Sequence, residues 1–144
     1  LSPEESLSMA NNFDIELDEV TLHEPALLHA PLGAVLAKEI FLIDDEQVLS
    51  AIRWHTTGKA GMSLLEKIIY IADAIEPNRD YEGVENLRKL VFEDLARALL
   101  EYTNGSILHV VQSGKLLHPN TVDARNDLVL LWKHQNKRRT EYDG

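Results

Sequence analysis

His55 and Asp73 bracket the run His-Thr-Thr-Gly-Lys-Ala-Gly-Met-Ser-Leu-Leu-Glu-Lys-Ile-Ile-Tyr-Ile-Ala-Asp, which continues into Ala74-Ile75-Glu76-Pro77-Asn78-Arg79. An imidazole stands before a glycine-bounded turn, a carboxylate on an apolar helix, and an arginine just past that helix's end. Imidazole and carboxylate together suit divalent metals of intermediate or hard character. A guanidinium forks onto phosphate oxygens, and the hydroxyls and backbone N–H groups of Thr56-Thr57-Gly58 suit a phosphate or ribose. The set is equipment for holding a divalent metal and a phosphate together. Leu64, Leu65, Ile68, Ile69, Ile71, Ala72 and Ile75 share one side of the helix, and Asp73 falls about 40° on from Ile69, at the border of that stripe. Partial burial of a carboxylate is costly without compensation. Either a partner neutralises Asp73, or it faces a polar cleft.

Two other stretches carry imidazoles in suggestive settings. His29 lies one helical turn before Gly33, and the small residues Ala30, Gly33 and Ala34 leave room for something bulky to approach. His118-Pro119-Asn120-Thr121-Val122-Asp123 presents an imidazole, an amide and helix N-terminal donors, a cradle for a base, ribose or phosphate. Each has a plainer reading. His29 alone reads as a satisfied core residue, and His55 as a cation matched to a helix C-terminus. Arg79 reads as a surface ion pair with Asp80 or Glu82, and the His118 segment as a loop and cap. His23, His109 and His134 read as structural or exposed, and Trp54 and Trp132 as core or groove residues. No glycine-rich phosphate loop, serine triad or basic-aromatic stripe is present.

The elements that must position these groups are helical. Ser2-Pro3-Glu4-Glu5 is a capping box with proline at the first helical position, opening a helix to about Asn11. An acidic loop follows from Asn12 to His23. Ala26 to Phe41 is apolar at helical spacing, with Pro31 either a kink or the true first turn. Asp45 to His55 forms a shorter helix with Val48, Leu49 and Ile52 inward, and Gly58 and Gly61 mark the turn after it. Ser63-Leu64-Leu65-Glu66 is a second capping box, and the helix it opens stops at Glu76-Pro77. Val84 to Phe92 and Asp94 to Ser113 form one broken helix or two, with Gly114 as the stop. A last helix runs from about Thr121 to Asn136. No segment alternates with period two. The expectation is all-α, residues 1–144 forming a single domain.

The 144 residues include 44% apolar and 26% charged residues, ordinary for a globular domain with a true core. The formal charge of −10 argues against nucleic acid and acidic membranes as partners. Attraction for a phosphate must therefore be local. There is no cysteine, which excludes disulfides, thiolate metal sites and cysteine nucleophiles. No stretch approaches the roughly 20 apolar residues that span a bilayer, and the opening residues do not read as a signal peptide. A cytoplasmic protein with no membrane partner is expected.

Taken together, His29-Ala30-Pro31-Leu32-Gly33-Ala34, Ala51-Ile52-Arg53-Trp54-His55-Thr56-Thr57-Gly58 and the segment Met62 to Arg79 resemble the HD-domain hydrolases, in particular the YqeK-type symmetrical bis(5′-nucleosyl)-tetraphosphatases. The HTTG turn followed by ADxIEPxR is the most specific part, and the resemblance is strongest from His29 to Arg88. It implies an HD-domain helical bundle and a metal-dependent phosphohydrolase cleaving diadenosine tetraphosphate symmetrically to two ADP, the alternatives being an HD nucleotidase or phosphodiesterase on another nucleotide and a noncatalytic nucleotide-binding helical module. By position, Asp73 matches the last metal-ligand aspartate. His29, His55 and Thr56 match residues lining the metal and phosphate site, Arg79 a phosphate-contacting arginine, and His118, Pro119, Asn120, Thr121, Val122 and Asp123 a nucleotide-binding segment. The implied cofactor is a divalent metal, iron first, with a dinuclear centre open and manganese or magnesium as alternatives. The implied partners are a nucleotide substrate or its ADP product, and a homodimer is one assembly open to it. Such families take further ligands from an earlier His and an adjacent His-Asp pair. This sequence has no His-Asp dipeptide, so it is expected to be the C-terminal portion of a longer domain, N-terminally incomplete.

Overall fold

Capping residues fix where most of the helices start. The computed structural model describes the backbone of residues 1–142 and side chains through residue 138. Helix α1 (Pro3–Asn12) opens on the Ser2–Glu5 capping box, both halves of which are formed. Helix α4 (Glu46–Trp54) opens on Asp45, whose side chain accepts from the Gln47 and Val48 amides. Helix α5 (Leu64–Ile75) opens on the Ser63–Glu66 capping box and ends at Glu76, which is extended before Pro77, as the steric demand of proline requires. Helices α6 (Val84–Glu93) and α7 (Leu95–Gln112) are separate, because Asp94 leaves the helical region and caps the second through the Arg97 amide.

Three expectations shift. The acidic stretch from Asn12 to His23 is not all loop: α2 (Glu19–His23) forms within it, where the Asp18 carboxylate accepts from the Thr21 amide at 2.9 Å and hydroxyl at 2.8 Å. One turn made by a cap and its surroundings has no apolar periodicity to betray it. Ahead of α3 (His29–Glu39) lies a 3-10 turn, Pro25–Leu28. Pro31 therefore falls in the first turn of α3, where no intrahelical N–H bond is lost. Helix α8 (Pro119–Tyr142) starts earlier and continues past Asn136. All regular structure among the described residues is helical.

The helices pack in sequence, α3 on α4, α4 on α5, α6 on α7 and α7 on α8. Tyr70, Ile71, Leu99 and Leu128 are completely buried with Met62, Leu87, Ala98 and Ala124 in one core, and Ala10, Leu28 and Leu32 make a smaller one. Gly58 joins the turn after α4 to this core. Its φ of +66° favours glycine, and a Cβ there would lie 3.1 Å from Ala124 Cβ, so both the turn and the approach of α8 exclude a side chain.

The orientation of α5 corrects the stripe drawn from periodicity. Glu66, Tyr70, Ile71 and Ala74 face the core, while Leu64, Ile68 and Ile69 are exposed, as is Ala72. Asp73 is exposed with them, 45% accessible, rather than partly buried at the stripe's border. The apolar residues do gather on one side of the helix, yet much of that side is turned outward, so hydropathy misplaces the inward face. The buried Tyr70 and the capping Glu66 decide it.

Candidate functional site

Helices α3 and α4 place two imidazoles edge to edge. The His29 and His55 rings lie 4.9 Å apart between centroids, with Nε2 to Nε2 3.1 Å. Each ring is oriented by its own backbone: His29 Nδ1 donates to the Ala26 carbonyl at 2.6 Å, and His55 Nδ1 to the Ile52 carbonyl at 2.6 Å. A carbonyl can only accept, so each Nδ1 carries a proton. With neutral rings, both Nε2 atoms present lone pairs to one another, and the contact becomes attractive when one of them holds a second proton. The Thr56 hydroxyl lies 2.9 Å from His29 Nε2. The His55 ring and the Thr56 hydroxyl thus converge on His29 Nε2.

The small residues beside His29 have another purpose than the one expected of them. Ala30 and Ala34 are buried, and a Cβ on Gly33 would lie 3.4 Å from Ile52 of α4. They admit the neighbouring helix, not a ligand, and close packing of the two helices is what brings the rings together. Beneath the turn after α4, buried Glu66 receives the Ser50 hydroxyl, the Ser63 amide at 2.6 Å and the Lys59 ammonium at 3.2 Å. Burial raises the pKa of this carboxyl, but the Ser50, Ser63 and Lys59 donors outweigh it and the net shift is downward. One ionised carboxylate therefore ties α4, the turn and α5.

On the far end of α5, Arg79 folds back on Asp73. Its Nη2 lies 3.1 Å from each carboxylate oxygen, and Nε donates to the Asp73 carbonyl at 3.0 Å. Hydrogen bonding and the charge of Asp73 raise the Arg79 pKa further above its ordinary value. The loop carrying Arg79 is held from below by Arg88, which donates to the carbonyls of Ile75 at 3.1 Å, Glu76 at 2.7 Å and Arg79 at 3.0 Å. Of the two ways to compensate Asp73, the structure shows both: a cation neutralises it, and it lines a cavity of about 640 Å³.

As a metal ligand Asp73 stands alone. Both its oxygens face Arg79, and among the described residues no group of three or more His, Asp or Glu side chains could hold an ion. These residues by themselves do not fit a metal centre.

The His118 segment opens α8 rather than forming a free loop. His118 Nδ1 accepts from the Asn120 amide at 3.1 Å, which leaves Nε2 to donate to Asp18 at 3.0 Å. Burial pushes the Asp18 pKa upward, but the Thr21 amide and hydroxyl and then His118 outweigh it, holding it at about 2. His118 and Asn120 line a cleft of about 90 Å³ together with Pro31 and Thr57. Pro119 is exposed, Thr121 is buried, and Val122 and Asp123 are on the exposed side of the helix. His118 is 12% exposed and bonded to Asp18, so its role is to brace that cleft.

The residues that pattern reading passed over are Glu66 beyond its cap, Arg88, Asp18 and His109. Glu66 is visible in sequence only as a capping residue, Asp18 only as part of an acidic stretch, and Arg88 only as a helix cation. His109, read as structural or exposed, lines the same cavity as Asp73 and Arg79.

The HD domain family model matches residues 7–78. The symmetrical bis(5′-nucleosyl)-tetraphosphatase of Bacillus subtilis is 44% identical over 107 residues, 74% of this chain and 58% of that protein. The protein of the same name from Halalkalibacterium halodurans is 43% identical over 112 residues, 78% of this chain and 60% of its own length. The crystal structure of a predicted HD superfamily hydrolase involved in NAD metabolism from Clostridium acetobutylicum superposes with a TM-score of 0.85 at 48% identity, covering 90% of this chain and 68% of that one. The chain thus spans about 58–60% of the length of these two named relatives.

Proposed function

The chain belongs to the HD domain family, and from that premise we propose that it carries the substrate-holding part of a metal-dependent phosphohydrolase that splits diadenosine tetraphosphate symmetrically into two ADP. The observation that carries the reading is the convergence of His29 Nε2, His55 Nε2 and Thr56 Oγ1 within hydrogen-bonding distance. The names of the Bacillus subtilis and Halalkalibacterium halodurans relatives support the substrate.

In this reading His29, His55 and Thr56 line the phosphate site, and the Thr56 hydroxyl donates to a non-bridging phosphate oxygen, stabilising charge developing there. Arg79 contributes a cation, since a guanidinium has five N–H donors, more than Asp73 takes. Local cations are needed because the chain as a whole carries −10 and repels a polyphosphate. The segment from His118 to Asp123 borders the nucleotide. The reading includes a divalent metal, iron before manganese or magnesium, with Asp73 as one ligand. Its other ligands are proposed to lie outside the described residues.

The test is hydrolysis of diadenosine tetraphosphate by the protein at its full encoded length, with product analysis. ADP as sole product, lost in Asp73→Ala, is expected. ATP plus AMP removes the symmetrical reading, and full turnover by Asp73→Ala removes the role of that carboxylate. A second reading, a noncatalytic nucleotide-binding module, draws on the absence of a metal-binding group among the described residues. ADP binding without turnover by the full-length protein supports it instead.

A further inference from the structure

The cavity of about 640 Å³ that opens beside Asp73 lies between α5, α6 and α7. Its size falls in the range of small-molecule sites. We propose that it is a nucleoside pocket, which, on the hydrolase reading above, takes one of the substrate's two nucleosides while the His118–Asp123 segment borders the other. Three observations point to this.

The first is the charge of the wall. Beyond the mutually neutralised Asp73 and Arg79, Glu82 and Glu101 line it with no further lysine or arginine among the lining residues. Such a wall repels phosphate. It accepts hydrogen bonds from neutral groups rich in donors, such as ribose hydroxyls and the exocyclic amine of a purine. Arg79, already assigned to phosphate, sets the end at which the phosphate chain leaves.

The second is fixed aromatic surface. The Tyr102 ring meets buried Tyr70 edge-on, with centroids 5.2 Å apart, and Tyr81 is anchored by its hydroxyl donating to the Ala74 carbonyl at 3.0 Å. Both rings line the cavity. Rings held in place offer a planar base a stacking surface at little conformational cost.

The third is Gly105. It sits inside α7, where glycine is less favourable than alanine by about 1 kcal/mol, yet no packing demands it. A Cβ there would meet nothing within 4 Å, and its backbone has ordinary helical dihedrals. Because Gly105 lines the cavity, a side chain at this position would extend into the open volume. The glycine keeps the floor clear.

The experiment titrates the full-length protein with adenosine, which carries no phosphate, and compares Gly105→Ala and Gly105→Leu. Saturable binding by the wild type is expected, weakened stepwise with side-chain size and by at least about tenfold in Gly105→Leu, while the thermal midpoint of neither variant falls. With diadenosine tetraphosphate, Gly105→Leu should raise KM about tenfold or more with kcat retained. No adenosine binding by the wild type, or equal binding by a folded Gly105→Leu, overturns the pocket. Absence of hydrolysis by the wild type overturns the hydrolase reading alone, since the adenosine titration depends on neither metal nor turnover.

Discussion

His29 and His55 meet across 26 residues of chain, whereas Asp73 and Arg79 meet across 6. The histidine side is a junction of distant parts. Ser50 of α4 reaches Glu66 of α5 across 16 residues, and Asp18 reaches His118 across 100. The aspartate side is local: one helix end, its loop, and Arg88 bracing three carbonyls of the same stretch. The first is made of oriented rings and a buried carboxylate, the second of an ion pair whose members are both close to half exposed. A side-chain cluster assembled over such distances depends on the whole bundle, while a local ion pair survives wherever its helix end forms. The rigid side is suited to hold a fixed group. The exposed side is suited to exchange its partner when a ligand arrives.

This contrast can be broken at its strongest point by a double-mutant cycle on the histidine pair. His29→Ala and His55→Ala should each lower kcat/KM for diadenosine tetraphosphate by about 100-fold, and the double variant by little more than either, because the two rings meet at one point and act as a unit. Strictly additive losses would show two independent histidines.

Glu66→Ala should come next, destabilising the fold by about 2–3 kcal/mol in denaturant unfolding. It removes a buried carboxylate, leaves Lys59 and the Ser50 hydroxyl without it, and opens a capping box. A loss of only a few tenths would mean that the histidine side is held by helix packing alone.

The smallest effect should come from Asp18→Ala, about 1 kcal/mol at neutral pH, the usual worth of a cap, since its partly exposed pair with His118 is screened. The sign with pH follows from a carboxyl lowered from 3.8 to about 2 in the folded protein. The stabilisation is complete above the unfolded value and is lost as pH falls through the folded one. Unfolding of wild type and variant should therefore converge as pH drops from about 4 to 2. A difference that persists there would place the effect in packing rather than in the ionised cap.

The same two sides differ in how far they could be read without coordinates. Capping boxes at Ser2 and Ser63, the Pro77 stop and the glycines at 58 and 61 are local signals, and the helices they bound stand where those signals put them. Asp73 and Arg79 are also close in the chain and could be singled out together, but the ion-pair partner of Arg79 is Asp73 rather than the expected Asp80 or Glu82. What failed was the facing of α5, whose apolar stripe, with Leu64, Ile68, Ile69 and Ala72, is turned outward while Glu66, Tyr70 and Ala74 pack inward. The one-turn α2 failed for the opposite reason, having no apolar pattern at all.

By itself, then, the sequence determined the all-helical class, most helix starts, and the residue types able to grip a phosphate, because these depend on neighbours within a turn or two. Tertiary structure alone decided that His29 and His55 meet Nε2 to Nε2, that His118 is committed to Asp18, and that Asp73 faces outward onto a cavity floored by Gly105. Those are relations between segments far apart in the chain. They are set by which helix faces pack together, and no local spacing encodes that choice.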